Sequence, residues 1–152
     1  MRRDLSHGVG SLQLFMPCVF EEHYYSLREQ SHDHDDEFRK ICALDIVINN
    51  TDRKAGHVLA GSDGHLWAID NALCFHHQFK VRPVIWDFAG DPIGDGPTAD
   101  LVRLLADGLS EGLSRMLDPF ERDAVLTRAR AVVETGELPV DASGRRVPWP
   151  LV

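Results

Sequence analysis

Long apolar runs are missing from this 152-residue chain, and with them any stretch that approaches a membrane span. Cysteine is scarce. Cys18, Cys42 and Cys74 are widely spaced, so one is left over in any disulfide scheme and no zinc pattern is met. A reducing compartment, and hence a soluble cytoplasmic protein, is the expectation. Basic charge is also short: 16 Lys and Arg stand against 24 Asp and Glu, a formal net charge of -8. That excludes the footprint expected of a nucleic-acid binder or a polybasic membrane anchor. Lysine occurs only at positions 40, 54 and 80. Internal repeats and low-complexity tracts are absent. Met1-Arg2-Arg3-Asp4 opens with basic residues, but Asp4, Ser6, His7 and Gly8 stand where a signal peptide needs an apolar core.

What is present is ordinary for a globular domain: 43% apolar and 26% charged residues, in a chain long enough to bury one core. The segment SLQLFMPCV, residues 11 to 19, reads as a strand or extended stretch that Pro17 confines to an edge or end. Residues 21 to 30 suggest a short helix. The polar SHDHDDEFRK leads into an amphipathic helix over 35 to 49, with Phe38, Ile41, Cys42 and Ile48 on one face and Asp45 among them. Residues 75 to 80 read as a loop, and turn chemistry follows at 90 to 97. From Thr98 a leucine-rich pattern predicts a helix to about Leu117. Asp118-Pro119-Phe120-Glu121 then has a capping acid, Pro at the first helical position and Glu in capping-box register, predicting a helix that ends near Gly136. From 138 to 152 the tail is turn-rich, with Trp149 expected to anchor it by burying its ring.

The densest chemistry lies in residues 45 to 75. Asp63-Gly64 is the dipeptide that best tolerates a two-residue hairpin turn. If it is the turn, Ser62 faces His65, Leu59 faces Ala68, and His57 stands beside Asp70 at the open end of the hairpin. Asp52 lies five residues before His57, within reach of both. Two acids and an imidazole there are the groups a phosphoryl-transfer site needs. Asp45, on an apolar face, is expected to be a buried acid satisfied by hydrogen bonds or by Arg53, because an unpaired buried carboxylate is costly.

The stretch Asn50-Thr51-Asp52-Arg53, the loop to His57-Val58-Leu59, and Ile69-Asp70-Asn71-Ala72-Leu73-Cys74-Phe75 resemble the catalytic region of phosphatidylinositol 3-/4-kinase-like and HipA-related atypical kinases, in particular an uncharacterised bacterial subfamily. The resemblance implies an α+β, mainly helical, protein-kinase-like C-lobe over residues 1 to 152, with a small β-hairpin carrying the catalytic loop and the metal-binding acid. It implies Asp52 as catalytic acid or base with Asn50 and Arg53, Asp70 as metal ligand, and ATP with Mg²⁺ or Mn²⁺ as cofactors. Gln13 and Phe15, in a hinge-like segment over 11 to 19, would meet the nucleotide. His57 stands where the pattern has Asn, and imidazole is an awkward Mg²⁺ ligand. It either binds a softer metal, supports Asp70 as a donor, or marks impaired metal binding. Ala72 replaces the usual Gly.

The resemblance also implies an upstream lobe with a phosphate-covering loop and a strand lysine. Nothing before Ser11 is expected to form a small sheet, residues 1 to 10 being disordered or a remnant of that lobe. Two functions follow. One is a kinase-like phosphotransferase lobe acting on an unknown acceptor. The other is a truncated or degenerate non-catalytic module that binds a partner, with an oligomer or partner lobe covering the apolar surface that faces the missing half. A metal hydrolase built on His32, His34, His57 and Asp70 needs ligands from distant segments. The His32 to Asp36 cluster itself reads as a solvated helix entry. His76 and His77 read as exposed loop residues, Trp86 and Phe88 as packing residues, and Asp87 is open.

Overall fold

In the computed structural model, which describes residues 2–5, 8–11, 14–144 and 146–152, short strands and five α-helices alternate along one chain. Strands β1 (Arg2–Leu5) and β2 (Gly8–Ser11) pair antiparallel as a separate hairpin. The expectation of no sheet before Ser11 is therefore corrected: strands of four residues each, with two glycines in the second, carry too little apolar pattern to signal a pair.

Strand β3 (Cys18–His23) runs directly into helix α1 (Tyr24–Gln30), so the expected helix from residue 21 is strand in its first three positions. The cause is pairing. β3 lies antiparallel to β4 (Val58–Gly61), which in turn pairs with β5 (Leu66–Ala68), giving a three-stranded sheet in the order β3-β4-β5. Helix α2 (Asp35–Ile48) starts with Asp35, Asp36 and Glu37 at its positive end and stops at Asn49, which takes the left-handed conformation at φ 58°.

The leucine-rich stretch is not one helix. Helix α3 (Asp95–Asp107) starts three residues before Thr98 and stops at Gly108, whose φ of 76° no helix continues. A short helix α4 (Glu111–Ser114) follows, capped by Ser110. Helix α5 (Pro119–Thr135) has the anticipated ends. The Asp118 carboxylate accepts from Glu121 N–H at 2.9 Å, the Glu121 carboxylate accepts from Asp118 N–H at 3.0 Å, and Gly136 closes the helix at φ 68°.

The core joins α1, α2, the sheet and the segment after it through Tyr24, Phe38, Ile41, Val58, Ile85 and Phe88. A second cluster, Val47, Val125 and Ala129, packs α5 on α2, with Leu101, Leu104 and Leu105 of α3 against it. Trp86 is half-buried, its indole N–H donating to the Arg146 carbonyl at 2.7 Å, and Phe88 is buried, as packing residues should be. The tail docks differently from expectation. Trp149 is 86% exposed, while its neighbour Pro148 is buried and Ala55 N–H donates to the Leu151 carbonyl at 2.8 Å. A proline ring fills the available site without having to satisfy an indole N–H.

Candidate functional site

Two segments wrap round each other to build the site: the loop from Asn49 to His57 and the chain from Ile69 to Ile85. Thr51 N–H donates to the Leu73 carbonyl, Arg82 N–H to the Asn50 carbonyl and Val84 N–H to the Arg53 carbonyl, at 2.9 to 3.0 Å. Asn49 fastens the far end. Its amide donates at 2.7 Å to the carbonyls of His76 and Gln78 and accepts from Lys80 N–H at 2.8 Å. An asparagine suits both demands, a left-handed backbone and a bifunctional side chain.

Beneath the surface lies a buried ion pair. Arg53 and Asp45 are both fully buried, with Nε and one terminal nitrogen of Arg53 each 2.9 Å from an Asp45 oxygen. Asn50, also fully buried, donates its amide to Asp45 at 2.9 Å and accepts from Asp52 N–H at 3.1 Å. Burial pushes the Asp45 carboxyl up, and Arg53, then Asn50, pull against it. The other edge of Arg53 donates to the carbonyls of His57 and Ile69 and to the Asn71 side chain. One guanidinium on the residue after Asp52 thus joins Asp45, His57 and both neighbours of Asp70. Arg53 and Asn50, carried with Asp52 by the resemblance, are turned inward, Arg53 as the expected partner of the buried Asp45 and Asn50 as a support of the Asp52 backbone.

Asp52 and Asp70 keep their carboxylates accessible, 31% and 55% exposed. Asp70 sits in the left-handed region at φ 52°, uncommon but tolerated for aspartate. Asp52 pairs with Lys54 at 3.8 Å rather than with His57. His57 Nε2 lies 3.6 Å from an Asp70 oxygen, while its Nδ1 accepts from Lys54 N–H at 3.4 Å. An accepting Nδ1 leaves the proton of a neutral imidazole on Nε2, the nitrogen that faces Asp70.

The hairpin brings His57 to Asp70 by a route different from the expected register. Val58 pairs with Ala68, Leu59 with Trp67 and Ala60 with Leu66, one residue off the anticipated ladder. The turn is longer than Asp-Gly alone: Gly64 N–H donates to the Gly61 carbonyl at 2.9 Å, Gly64 lies at φ 78°, and Gly61 N–H donates to the His65 carbonyl at 2.8 Å. Ser62, Asp63 and Gly64 form a three-residue loop with a glycine bulge. His57 consequently faces Ile69, whose N–H donates to the His57 carbonyl at 2.9 Å. The left-handed turn at Asp70 then returns its carboxylate to the imidazole.

Next to Ile69 opens an apolar cleft of about 450 Å³, lined by Leu14, Phe15, Phe20, Trp67 and Ile69 among others. Phe15 is there, 76% exposed. Gln13 lies outside the described residues. The buried indole N–H of Trp67 has no hydrogen-bond partner among them.

Other sequence candidates are dispersed. His32 is exposed and bonded to Arg28 and Asp35. His76 stacks on His77 and contacts the Lys80 ammonium at 3.2 Å. Asp87 accepts from the Tyr24 hydroxyl; burial first, and this carboxylate second, raise that hydroxyl well above the usual phenol range. Lys54 and Asn49 join the site without belonging to the sequence motifs. The two-residue offset of Lys54 from Asp52 was the available signal for the first.

A family model described as phosphatidylinositol 3- and 4-kinase matches residues 1–122. The chain belongs to the phosphatidylinositol 3- and 4-kinase family. It is 36% identical over 122 residues to protein Rv2133c of Mycobacterium tuberculosis, a match covering 78% of this chain and 44% of that relative. It is 34% identical over 85 residues to phosphatidylinositol 4-kinase gamma 3 of Arabidopsis thaliana, covering 51% of this chain and 14% of that one. This family member thus spans less than half the length of these curated relatives. No solved structure matches it.

Membership raises the question of a divalent cation. Among the described residues no three His, Cys, Asp or Glu side chains gather as a metal set. That donor set does not fit a protein cage, but it fits a cation carried on phosphate oxygens, because Mg²⁺ commonly needs only one or two carboxylates besides them. The exposed Asp70 carboxylate is the type of oxygen donor that such a cation takes. No helix among the described residues is long and apolar enough to cross a membrane.

Proposed function

We propose that this chain supplies the acidic half of an ATP-dependent phosphotransferase site that passes the terminal phosphoryl group of ATP to a hydroxyl acceptor. The observation that carries this reading is the buried Arg53, which ties the loop of Asp52 to both neighbours of Asp70 while both carboxylates stay accessible, that of Asp52 partly. Exposed acids on a cross-tied, buried frame are positioned for chemistry rather than for folding.

Asp52 receives the proton of the attacking hydroxyl as its oxygen bonds the γ-phosphorus and the bridge to the β-phosphate breaks. Asn50 fixes the backbone of Asp52, and Lys54, 3.8 Å from its carboxylate, brings a positive charge to an acidic mouth. Asp70 would hold Mg²⁺ or Mn²⁺, which would offset phosphate charge. His57, with its Nε2–H towards Asp70, orients that carboxylate instead of ligating. The cleft at Phe15 and Ile69 is of a size and character to take the adenine base.

The test is Asp52→Asn in the purified chain, followed by release or transfer of γ-phosphate. Loss of an acid or base contribution predicts a fall of about 10²- to 10⁴-fold, with ATP still stabilising the variant. Unchanged turnover removes Asp52 from the mechanism.

A second reading rests on Leu14, Phe15 and Phe20, which are 68 to 79% exposed beside the cleft. Contiguous apolar exposure of that kind marks an interaction surface, so a non-catalytic module that docks a partner or a second copy there is the alternative. Light scattering that finds a monomer at high concentration counts against the second copy.

A further inference from the structure

The 3-10 turn Ala55–His57 carries the chain from Asp52 into the sheet, and two successive N–H groups at its start serve different ends. Lys54 N–H donates to His57 Nδ1 at 3.4 Å and so sets the ring. Ala55 N–H instead leaves the turn and donates to the Leu151 carbonyl at 2.8 Å. Ala55 is fully buried, so its N–H depends on that carbonyl for a partner. A Cβ placed on Gly56 would stand 3.9 Å from the Val152 side chain, which puts the same stretch of chain over the middle of the turn.

That stretch, residues 146 to 152, belongs to no helix or strand and lies outside residues 1–122 covered by the family match. Its first residue is well tied. The Arg146 carbonyl accepts from the Trp86 indole N–H at 2.7 Å, its N–H donates to the Asp141 carboxylate at 2.9 Å, and its guanidinium lies 5.0 Å over the Phe79 ring. Pro148 is buried midway, and Leu151 reaches the turn. Val147, Trp149 and Val152 stay exposed, so the segment crosses a surface on a few separate ties. Segments held in that way open at low free energy.

We propose that residues 146 to 152 are a positioning strap for the site: docked, they fix the Ala55–His57 turn and hold the His57 imidazole against Asp70, a role that rests on Asp70 being the carboxylate that takes the cation. The path is short. Leu151 holds Ala55, the turn carries His57, and His57 Nε2 stands 3.6 Å from the Asp70 carboxylate. Groups that orient a metal-binding carboxylate set its affinity for the cation. Asp52 N–H is held by Asn50 instead, so the strap acts on the Asp70 side of the site.

The test compares the full chain with one ending after Arg146 and with Trp86→Phe, which keeps the strap but removes one of its ties. Hydrogen exchange followed by mass spectrometry reads the Ala55 amide, and nitrogen NMR at one fixed pH reads the His57 ring, assigned by its loss in His57→Gln. In the full chain His57 shows a single Nε2–H tautomer. Without the strap the Ala55 amide exchanges about tenfold faster, His57 shows mixed tautomers, and the α2 amides keep their protection. The Mn²⁺ needed for half of the ATP-dependent thermal shift rises about tenfold. Trp86→Phe moves each reading the same way by less, and it decides the matter should the shortened chain lose α2 protection and prove unfolded. Unchanged exchange and ring signals without the strap, or changed signals at the same Mn²⁺ requirement, overturn the proposal. A full chain with no shift from ATP and Mn²⁺ refutes the cation role of Asp70 instead, and the His57 signals then still decide whether the strap positions the ring.

Discussion

Replacing Arg53 with leucine would remove the one side chain that ties the Asp52 loop to the Asp70 turn. The two 2.9 Å contacts to Asp45 vanish, as do the donors to the His57 and Ile69 carbonyls and to Asn71. What decides the magnitude is the carboxylate left behind: Asp45 is fully buried, and Asn50 alone cannot compensate it. Breaking a buried pair from one side costs about 3 to 5 kcal/mol. For a domain of this size that is a fall in Tm of roughly 6 to 20 °C. Urea unfolding under reducing conditions measures it, as a lower midpoint at nearly constant slope. Arg53→Leu with Asp45→Leu should recover part of the loss, because the orphaned charge is gone. The pH dependence has a definite sign. In Arg53→Leu the folded-state pKa of Asp45, already raised by burial, loses its opposing guanidinium and stays above the unfolded value. The proton-linked stability is therefore full below the unfolded pKa and lost as pH rises through the folded one, so the deficit against wild type shrinks as pH falls from 7. A cost below about 1 kcal/mol, or a double variant no better than the single, would refute the keystone role of Arg53.

Two further outcomes are expected. A Cβ at Gly61 would lie 2.8 Å from the Asp63 carboxylate oxygen, so Gly61→Ala should push that carboxylate off the His65 N–H it accepts from and cost about 0.5 to 1.5 kcal/mol, read by thermal unfolding; a stabilised variant would contradict that contact. Burial, ahead of the nearby acids, pushes the Cys74 thiol up to about 11, so it stays neutral in the native protein well above pH 9. Its alkylation, followed by peptide mass spectrometry, should climb about tenfold per pH unit from 8 to 10, and a plateau near pH 8.5 would contradict that.

Much of the site was legible because its signals are local. The Asp118-Pro119 start and Gly136 stop define α5 from short-range capping chemistry alone. Asp45 with Arg53 was legible for another reason: a charge on an apolar helix face demands a partner, and few are near. The hairpin register was not legible. Asp63-Gly64 fits a two-residue turn as well as a three-residue loop, and the left-handed Gly64 bulge decides between them. His57 still reaches Asp70, because the backbone at Asp70 turns left-handed after the ladder ends. The break at Gly108 was hidden by leucines that keep helical spacing across it. The exposed Trp149 shows that ring size alone does not choose the anchor when the neighbouring Pro148 fits.

The central claim is that Asp52 and Asp70 serve a nucleotide. Thermal unfolding of the chain with ATP, with Mg²⁺ or Mn²⁺, and with both together, beside Asp70→Asn, tests it most directly. ATP and cation together should stabilise the wild type, by about 2.7 kcal/mol at a hundredfold excess over Kd, and Asp70→Asn should lose the cation-dependent part. No shift with the pair, or the same shift in Asp70→Asn, would contradict it.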